Sequence, residues 1–317
     1  MKYLGIGLAV VVLVASSVAC STADLPSIEM PKVELPDVNI EVPDIQLPEI
    51  TIPTIEVGEM IEEHQEVAED GVNQASVRLV FGAGELEVDA GEPGTLFAAD
   101  FRYNIAEWAP VVDYDADDQS LLVKQGGEEN SWGIPSDGNV NNEWDVTLSP
   151  SIPISMSLLL GAGRGDLDFS QLQIARLNLD MGAGDFAVRF NQPAQAPMGE
   201  MTVRTGAALL EIEGIGNASP ERVVVQGGAG DITLDLTGSW QRSADVEVTA
   251  GVGQLTLVVP RDISVRIGID GLATVNNDGL EKRGDDYVSD AYGDTEDEIN
   301  VSITAGIGNV RLQQAAD

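Results

Sequence analysis

The chain has 317 residues, 53 of them acidic and 16 basic, which gives a formal net charge of −37 at pH 7. This excess of carboxylates argues against nucleic acid as a partner, because such binding depends on Lys and Arg side chains that neutralise phosphates. The single cysteine excludes an internal disulfide. The single histidine, His64, has no Ser or Cys partner nearby in sequence, which argues against a catalytic triad or a His/Cys zinc site.

Residues 1–20 have the pattern of a secretory signal peptide, with a positive charge near the start and an apolar run at 4–14. That run is too short to span a bilayer as a helix. Residues 17–20 resemble a bacterial lipobox, although Ser17 stands where leucine is usual. We expect Cys20 to carry the lipid that attaches the chain to the membrane. The protein would then be extracytoplasmic, anchored to the bacterial cell membrane or the outer membrane. An ordinary signal peptide with an incidental cysteine is the alternative.

Residues 21–57 form a stem of a different composition, in which prolines recur every five or seven residues and apolar and acidic residues alternate between them. Proline at this density forbids helix and removes donors from a sheet. We predict an extended stem that could reach on the order of 100 Å. It would act as a spacer, or its apolar side chains would dock on a partner. Residues 58–71 are predicted to be a short acidic linker or helix.

From residue 72 onward the sequence repeats one phrase, in which apolar alternation meets a Gly-x-Gly triplet and then resumes. The phrase occurs seven times, and from Gly161 to Gly251 its copies start 21, 24, 22 and 23 residues apart. A period near 20 residues is typical of a coiled, repetitive β architecture. One copy departs from the triplet and reads Gly206-Ala207-Ala208. The corner glycines of the other six are Gly82 and Gly84, Gly161 and Gly163, Gly182 and Gly184, Gly228 and Gly230, Gly251 and Gly253, and Gly306 and Gly308.

Counted from the first residue of each triplet, positions −5, −3, −1, +1, +4 and +6 are apolar or small in nearly every copy. This alternation predicts that these positions point into a core. The period-two alternation shifts by one residue between positions +1 and +4. We therefore expect the chain to turn a corner at the second glycine, where a positive φ or a close backbone contact favours glycine. The triplet at Gly206 predicts a differently shaped corner. Arg164-Gly165 is interpreted as an insertion that moves the +4 residue to Leu167.

Stacked copies would let each strand pair in parallel with its equivalents above and below, which predicts an all-β body over residues 72–317 folded as a β-helix, or solenoid. A meander of antiparallel hairpins is the rival architecture. It does not explain why the same corner recurs once per turn.

Six further segments carry a resemblance to a known family. They are Leu79-Val80-Phe81-Gly82-Ala83-Gly84-Glu85-Leu86, Pro110-Val111-Val112-Asp113-Tyr114, Leu121-Leu122-Val123-Lys124-Gln125, Trp144-Asp145-Val146-Thr147-Leu148, Ile152-Pro153-Ile154 and the long insertion 271–298 with Tyr287 and Tyr292.

With these segments, residues 72–312 resemble the bacterial toast-rack domain, which is found in envelope proteins and is related to the extracytoplasmic part of Lia-type cell-envelope stress regulators. The resemblance implies a single-stranded right-handed β-helix and little chemistry. The chain has no apolar run after residue 20 that is long enough to span a bilayer. Direct control of a sensor kinase within the membrane, as in the Lia-type regulators, is therefore not expected.

Two short motifs favour ordinary structural roles. The run from Asp113 to Asp118 resembles the start of a calcium loop, but it lacks glycine at the sixth position and has Lys124 where a glutamate is needed. We predict a hairpin turn there. Arg164-Gly165-Asp166 spells an integrin-recognition tripeptide, but three residues recur often by chance.

Outward side chains just after the corners form the candidate site. In stacked copies they would line one edge at a spacing of about 4.8 Å. They either cap the corners by bonding local backbone amides, or bind a divalent cation or a basic ligand. For the cation we predict weak Ca²⁺ binding by Asp166, Asp168 and Asp185. The full set is Glu85, Glu87, Asp166, Asp168, Asp185, Glu211, Asp231, Gln254 and Asn309.

These patterns favour a non-enzymatic protein with no catalytic residues and no cofactor other than weakly bound Ca²⁺. We predict a membrane-anchored lipoprotein whose β-helical body binds or senses an unknown envelope protein or a basic ligand. A structural adhesin or spacer is one alternative. A carbohydrate-active β-helix enzyme is another, but it needs a groove of clustered Asp, Lys or Arg, and the chain has only four lysines.

Overall fold

The computed structural model describes residues 54–127, 134–135 and 138–316. The signal peptide with Cys20 and the stem up to residue 53 lie outside the described residues, so those predictions stay open. Among the helices of the described ranges, none is long and apolar enough to cross a membrane.

Strands make up most of the described chain. In chain order the elements are β1 (Thr54–Ile55), β2 (Ile61–Ala68), β3 (Ala75–Ala90), β4 (Thr95–Tyr103), a 3-10 helix (Ala106–Trp108), β5 (Val111–Asp115), β6 (Ser120–Lys124), β7 (Ile134–Pro135), β8 (Asn142–Leu148), β9 (Pro153–Asp168), β10 (Gln173–Arg189), β11 (Glu200–Glu213), α1 (Ile215–Ala218), β12 (Arg222–Asp235), β13 (Ala244–Val259), β14 (Ser264–Gly271), β15 (Thr274–Asp278), β16 (Glu281–Arg283), β17 (Asp286–Val288) and β18 (Glu298–Gln314).

Seven long strands form the centre of one large sheet, and each of them runs through one copy of the phrase. They pair in parallel in the spatial order β3-β9-β10-β11-β12-β13-β18. Equivalent triplets lie in register, as Gly163 does with Gly184. The all-β solenoid prediction is therefore confirmed. The antiparallel meander is wrong for this central part, because each copy pairs with its equivalent in the next.

The second glycine of each triplet makes the corner, as predicted. At Gly184 the φ angle is +147°, and a Cβ atom placed there would lie 1.8 Å from the carbonyl oxygen of Gly163 in the neighbouring rung. Only a residue without a side chain allows this approach. The triplet at Gly206 does differ, since Ala208 is buried and is not among the residues with positive φ.

The core consists of the predicted inward positions on both sides of each corner. In β10 these are Leu177, Leu179, Met181, Phe186 and Val188, all of which are buried. The inward assignment of position +1 is wrong. Val252 and Ile307 at this position are 56% and 68% exposed, because the strand bends at the triplet and +1 lies on the convex side of the corner.

The interpretation of Arg164-Gly165 as an insertion is also wrong. Leu167 pairs with Val188 at position +6, and Gly165 takes position +4 opposite Phe186. Gly165 is buried, and a Cβ atom there would meet Leu160 and Phe186 side-chain atoms at 3.2 Å. The large neighbours therefore fill the space that a +4 side chain would occupy.

Both ends of the solenoid are built from chain segments that leave the regular succession. At one end β6 and β8 pair in parallel with the two halves of β3, and β5, β4 and β2 extend the two halves in antiparallel fashion. At the other end β14 and β15 pair with the two halves of β18. The rung of Gly306 thus lies between β13 and the β14-β15 rung, although it comes last in the chain.

Residues 58–71 contain a strand, which corrects the helix prediction. β2 pairs antiparallel with β4, and its alternating residues are exposed and half-buried. The folded body therefore begins by Ile61 rather than near Val72. The hairpin predicted after Asp113 is confirmed, since β5 and β6 pair antiparallel and Asp115 Oδ1 accepts hydrogen bonds from the Asp117 and Asp118 amides at 2.9 and 3.2 Å.

Two side chains close the corner of the first rung, where no further triplet can pair with it. Gln125 Oε1 accepts hydrogen bonds from the Gly82 and Ala83 amides at 2.9 and 3.3 Å. Asn142 Nδ2 donates to the Ala83 carbonyl at 2.7 Å, and its Oδ1 accepts from Trp144 Nε1 at 3.1 Å. These amides satisfy backbone groups that would otherwise be left without a partner at the end of the stack.

Candidate functional site

The candidate site lies on one outward sheet face. It is formed by the halves of the long strands that follow the corner, and it continues through β8 and β4 to β2. Alternate residues of these strands point outward, so equivalent positions on neighbouring strands form rows across the sheet, and neighbours within a row are about 4.8 Å apart. We call this surface the acidic face.

Strand register divides the outward residues of the acidic face into rows. Position +3 forms the corner row and position +5 forms the second row. From β2 to β18 the corner row contains Glu62, Arg102, Glu143, Glu85, Arg164, Asp185, Leu209, Asp231, Gln254 and Asn309. The second row contains His64, Asp100, Asp145, Glu87, Asp166, Ala187, Glu211, Thr233, Thr256 and Arg311.

Four carboxylates are consecutive in the second row, on the adjacent strands β4, β8, β3 and β9. They are Asp100, Asp145, Glu87 and Asp166. Such close like charges repel one another. Positively charged or titratable groups stand at both ends of this run: His64 Nδ1 lies 2.8 Å from Asp100 Oδ1, and Arg189 pairs with Asp166. A depression of about 260 Å³ beside the run is lined by Glu85, Glu87, Asp100, Arg102, Glu143, Trp144 and Asp145.

Arg189 is the central cation of this region. Its guanidinium forms two hydrogen bonds to the Asp166 carboxylate, and its Nε atom lies 3.6 Å from Glu213 Oε2. The hydrogen bond from Arg189 to Asp166 raises the pKa of Arg189 against an opposing effect of burial. Arg189 therefore stays charged and holds Asp166 in place.

Asp89, on β3, has a pKa raised above the ordinary value of 3.8. Partial burial is the first cause, and the negative charges of Asp168, Asp145 and Asp166 add to it. Arg189 acts in the opposite direction. Burial and these neighbouring charges thus favour the protonated form of Asp89.

The structure does not bring together the three carboxylates predicted to bind Ca²⁺. Asp185 lies in the corner row opposite Arg164, Asp166 lies in the second row and is paired with Arg189, and Asp168 lies one position further along, opposite Arg189. Across the described part of the chain, no group of three or more His, Cys, Asp or Glu side chains has the geometry to hold a metal ion. Calcium binding stays a prediction, with a less favourable arrangement of ligands than expected.

Capping of the corners by these side chains is not observed. Asp168 Oδ1 accepts a hydrogen bond from the Ser170 amide at 2.9 Å, but that bond stabilises the turn after β9 and not the corner. The side-chain carboxylates of Asp185, Glu211 and Asp231 form no hydrogen bond or ion pair within the described residues. Their carboxylates are exposed and available to a ligand.

A second and larger depression, of about 360 Å³, lies in the middle of the acidic face across β9 to β12. Its rim includes Arg164, Asp185, Glu211 and Asp231, and its floor includes Ala187. Leu209 lies within it and is 52% exposed. We call this feature the Leu209 depression.

Several residues of the acidic face were not predicted from the sequence. Asp100, Glu143 and Asp145 come from β4 and β8, which carry no Gly-x-Gly triplet and so gave no signal that they extend the same rows. Arg189 was missed because its partner Asp166 is 23 residues away. That separation is close to the repeat period, so pairing of opposite charges one period apart would have been a usable signal.

Among solved structures, a putative cell adhesion protein from Clostridium sporogenes is 24% identical, with a TM-score of 0.47 over 81% of this chain and 100% of that chain. A putative adhesin from Bacteroides fragilis is 12% identical, with a TM-score of 0.37 over 81% of this chain and 99% of that chain. A putative lipid binding protein from Parabacteroides distasonis is 9% identical, with a TM-score of 0.38 over 82% of this chain and 99% of that chain.

No curated protein matches the chain. The family model for the N-terminal domain of toast-rack proteins, DUF2154, matches residues 56–213 and 194–258. Together the two matches cover more than half of the chain and include six of the seven triplets. This match and the stacked Gly-x-Gly corners agree with the resemblance seen in the sequence, and the chain belongs to the toast-rack family.

Proposed function

We propose that the protein is a non-enzymatic binding protein of the bacterial cell envelope, anchored through lipid on Cys20, whose acidic face binds basic groups of a partner. The observation that carries this proposal is the run of four adjacent carboxylates in the second row, from Asp100 to Asp166. The hydrogen-bonded sheet, in which β4 is antiparallel to β8 and the other two pairs are parallel, holds these like charges at strand spacing. A basic ligand would relieve their repulsion, so the negative field of this face favours a cationic partner.

The absence of an enzymatic role is supported by the exposure of the available side chains. Catalysis by carboxylates requires a pair whose environments push their pKa values apart, which burial usually provides. Asp185, Glu211 and Asp231 are exposed and lie at the open rim of a depression. His64, which faces Asp100, is exposed as well. A surface of this kind suits reversible ionic contacts.

Anchoring is supported by the lipobox-like residues 17–20, which place the only cysteine at the expected cleavage point. Cys20→Ala should release the protein from membranes or leave its signal peptide uncleaved. Membrane fractionation with mass spectrometry of the mature N-terminus measures both results. Membrane retention of a mature-length Cys20→Ala chain would overturn the anchor.

Binding by the acidic face is tested with full-length protein in detergent and poly-L-lysine as the probe. Glu87→Gln with Asp145→Asn removes the two middle charges of the run. The matched control, Asp262→Asn with Asp270→Asn, removes two exposed charges outside the acidic face. Binding should weaken with rising salt. The dissociation constant should rise by about fivefold in the first variant, given that exposed ion pairs contribute about 0.2–1 kcal/mol each. Equal effects of the two variants would show that only net charge matters and would refute a binding face.

A further inference from the structure

We propose that the Leu209 depression is a docking site for an extended peptide segment of a partner protein. In this proposal a Lys or Arg side chain of the segment lies over Leu209, and an acidic residue two or three positions away pairs with Arg164. This inference rests on the proposed function and assigns the partner chemistry of one part of the acidic face.

The depression lies where strand β10 carries a small outward residue. Ala187 occupies the second row between Asp166 and Glu211, so a methyl group stands where the neighbouring strands carry long side chains. Gly165 of the adjacent strand β9 also lines the depression, although its own position faces the core. The result is a concave area of about 360 Å³ on the outward sheet face.

Leu209 is an exposed apolar side chain among carboxylates. Asp185 and Asp231 are its neighbours in the corner row, about 4.8 Å away on each side, and Glu211 follows it two residues along the same strand. None of these three carboxylates has a hydrogen-bond or ion-pair partner within the described residues. An alkyl chain that ends in a cation satisfies both features, because its methylenes pack on Leu209 while its charged head contacts the carboxylates.

Arg164 supplies the opposite charge at one end of the depression. Its row neighbours are Glu85 and Asp185, yet it forms no ion pair with either of them, or with any other group in the described residues. Two strand spacings, or about 10 Å, separate its backbone from that of Leu209. Since an extended peptide rises about 3.3 Å per residue, a carboxylate two or three positions from the bound Lys or Arg reaches Arg164.

The same arrangement argues against other cationic occupants. A metal ion would find the apolar Leu209 side chain between Asp185 and Asp231, where a ligand atom is needed. A polyamine would place a positive charge near Arg164 and be repelled. A peptide that carries both signs of charge, separated by two apolar residues, matches the order of charges along the corner row.

The test uses the full-length protein in detergent at low ionic strength and the fluorescently labelled peptides Lys-Ala-Ala-Glu and Lys-Ala-Ala-Gln, blocked at both ends. Binding is measured by fluorescence anisotropy. Asp185→Asn with Asp231→Asn should raise the dissociation constant of the Glu peptide by about fivefold, and Leu209→Ser, which keeps every charge, by about threefold. Arg164→Gln should weaken binding of the Glu peptide by about threefold and leave the Gln peptide unchanged. The control, Asp262→Asn with Asp270→Asn, should change neither.

Three results would overturn the inference. In the first, the control variant loses as much affinity for the Glu peptide as Asp185→Asn with Asp231→Asn does. In the second, Leu209→Ser leaves the affinity for the Glu peptide unchanged. The third is spermidine binding at the same site as tightly as the Glu peptide, which would identify a polyamine site instead. If the peptides fail to bind while poly-L-lysine still does, this docking site is refuted and the proposed function stands. If neither binds, both are refuted.

Discussion

The corners and the acidic face are two regions of the same strands, and they differ in how freely the side chain can vary from one rung to the next. At the corners, the backbone of one rung touches the backbone of the next. A Cβ atom on Gly163, Gly184 or Gly253 would lie 1.8–1.9 Å from a carbonyl oxygen of the neighbouring rung. A side chain is therefore excluded from this position in almost every rung.

On the acidic face, in contrast, neighbouring strands still pair through their backbones, but their outward side chains point away from the next rung's backbone. Position +3 is Arg164, Asp185 and Leu209 in three successive strands without any change in register. The face can therefore carry charge, apolar area or a gap at each rung. The corners therefore specify the solenoid, while the face is free to vary and is where a binding function can reside.

The sharpest way to break the corner is Gly184→Ala. We expect it to lower the free energy of unfolding by about 4 kcal/mol or more, because it combines an unfavourable φ with overlap against the Gly163 carbonyl. Gly71→Ala is the matched control, since Gly71 also has a positive φ, of +76°, but has no atom within 4 Å of the added Cβ. It should lower that free energy by only about 1 kcal/mol. Chemical denaturation measures both, and similar losses would show that backbone contact does not govern the corner.

The core between the two regions is tested by Leu179→Ala. Leu179 is fully buried, so the truncation should lower the free energy of unfolding by about 2–5 kcal/mol. Its outward neighbour Asn178 is half-buried and should tolerate the same change within about 0.5 kcal/mol. Chemical denaturation measures both variants. Equal losses of unfolding free energy would contradict the assignment of Leu179 to the core and of Asn178 to the outward face.

The end of the corner stack is tested by Asn142→Ala. This buried side chain serves both the Ala83 carbonyl and Trp144 Nε1, so its removal leaves polar groups without partners. The expected decrease in the free energy of unfolding is about 1–3 kcal/mol. Asn276→Ala, at an exposed position of β15, should have almost no effect. A thermal-unfolding comparison in which the two variants behave alike would argue that the first rung needs no cap.

The smallest effect is expected on the acidic face, from Asp89→Asn. The pKa of Asp89 is raised in the folded state, so the native protein holds this proton more tightly than the unfolded chain does. That stabilisation is fully present below the ordinary value of 3.8 and is lost as the pH rises through the folded-state pKa. Asp89→Asn should therefore be more stable than the parent protein at pH 7, by about 0.5 kcal/mol, and this gain should shrink as the pH falls below 4.

Asp262→Asn is the control for this pH dependence, because Asp262 is exposed and outside the acidic face. Its free energy of unfolding, measured by urea denaturation, should equal that of the parent protein at every pH. If the Asp89→Asn variant is less stable than the parent protein at pH 7, the ionised Asp89 carboxylate makes a favourable contact. That result would contradict the view that its surroundings disfavour its charge.

The repeat was predictable because its determinants are local. The alternation around Leu177 and Leu179, the glycines at each corner and the different triplet at Gly206 can all be read within one period. Each of these predictions was confirmed by burial, by φ or by register. The wrong prediction for position +1 had a different origin. Small or apolar residues such as Val252 continue the alternation that marks inward positions, and only the bend of the strand turns them outward.

The sequence by itself determined that the body is a stack of similar β rungs with glycine corners, because period, alternation and corner chemistry are all short-range properties. Tertiary structure alone decided which rung lies at which end, since β18 inserts between β13 and the β14-β15 rung through pairing of residues far apart in the chain. It also decided that β2, β4 and β8 extend the acidic face, and that Asp166 pairs with Arg189 while Asp185 faces Arg164. A shift of one rung or one residue would bring different charges together, and only the hydrogen-bonded register between strands fixes that choice.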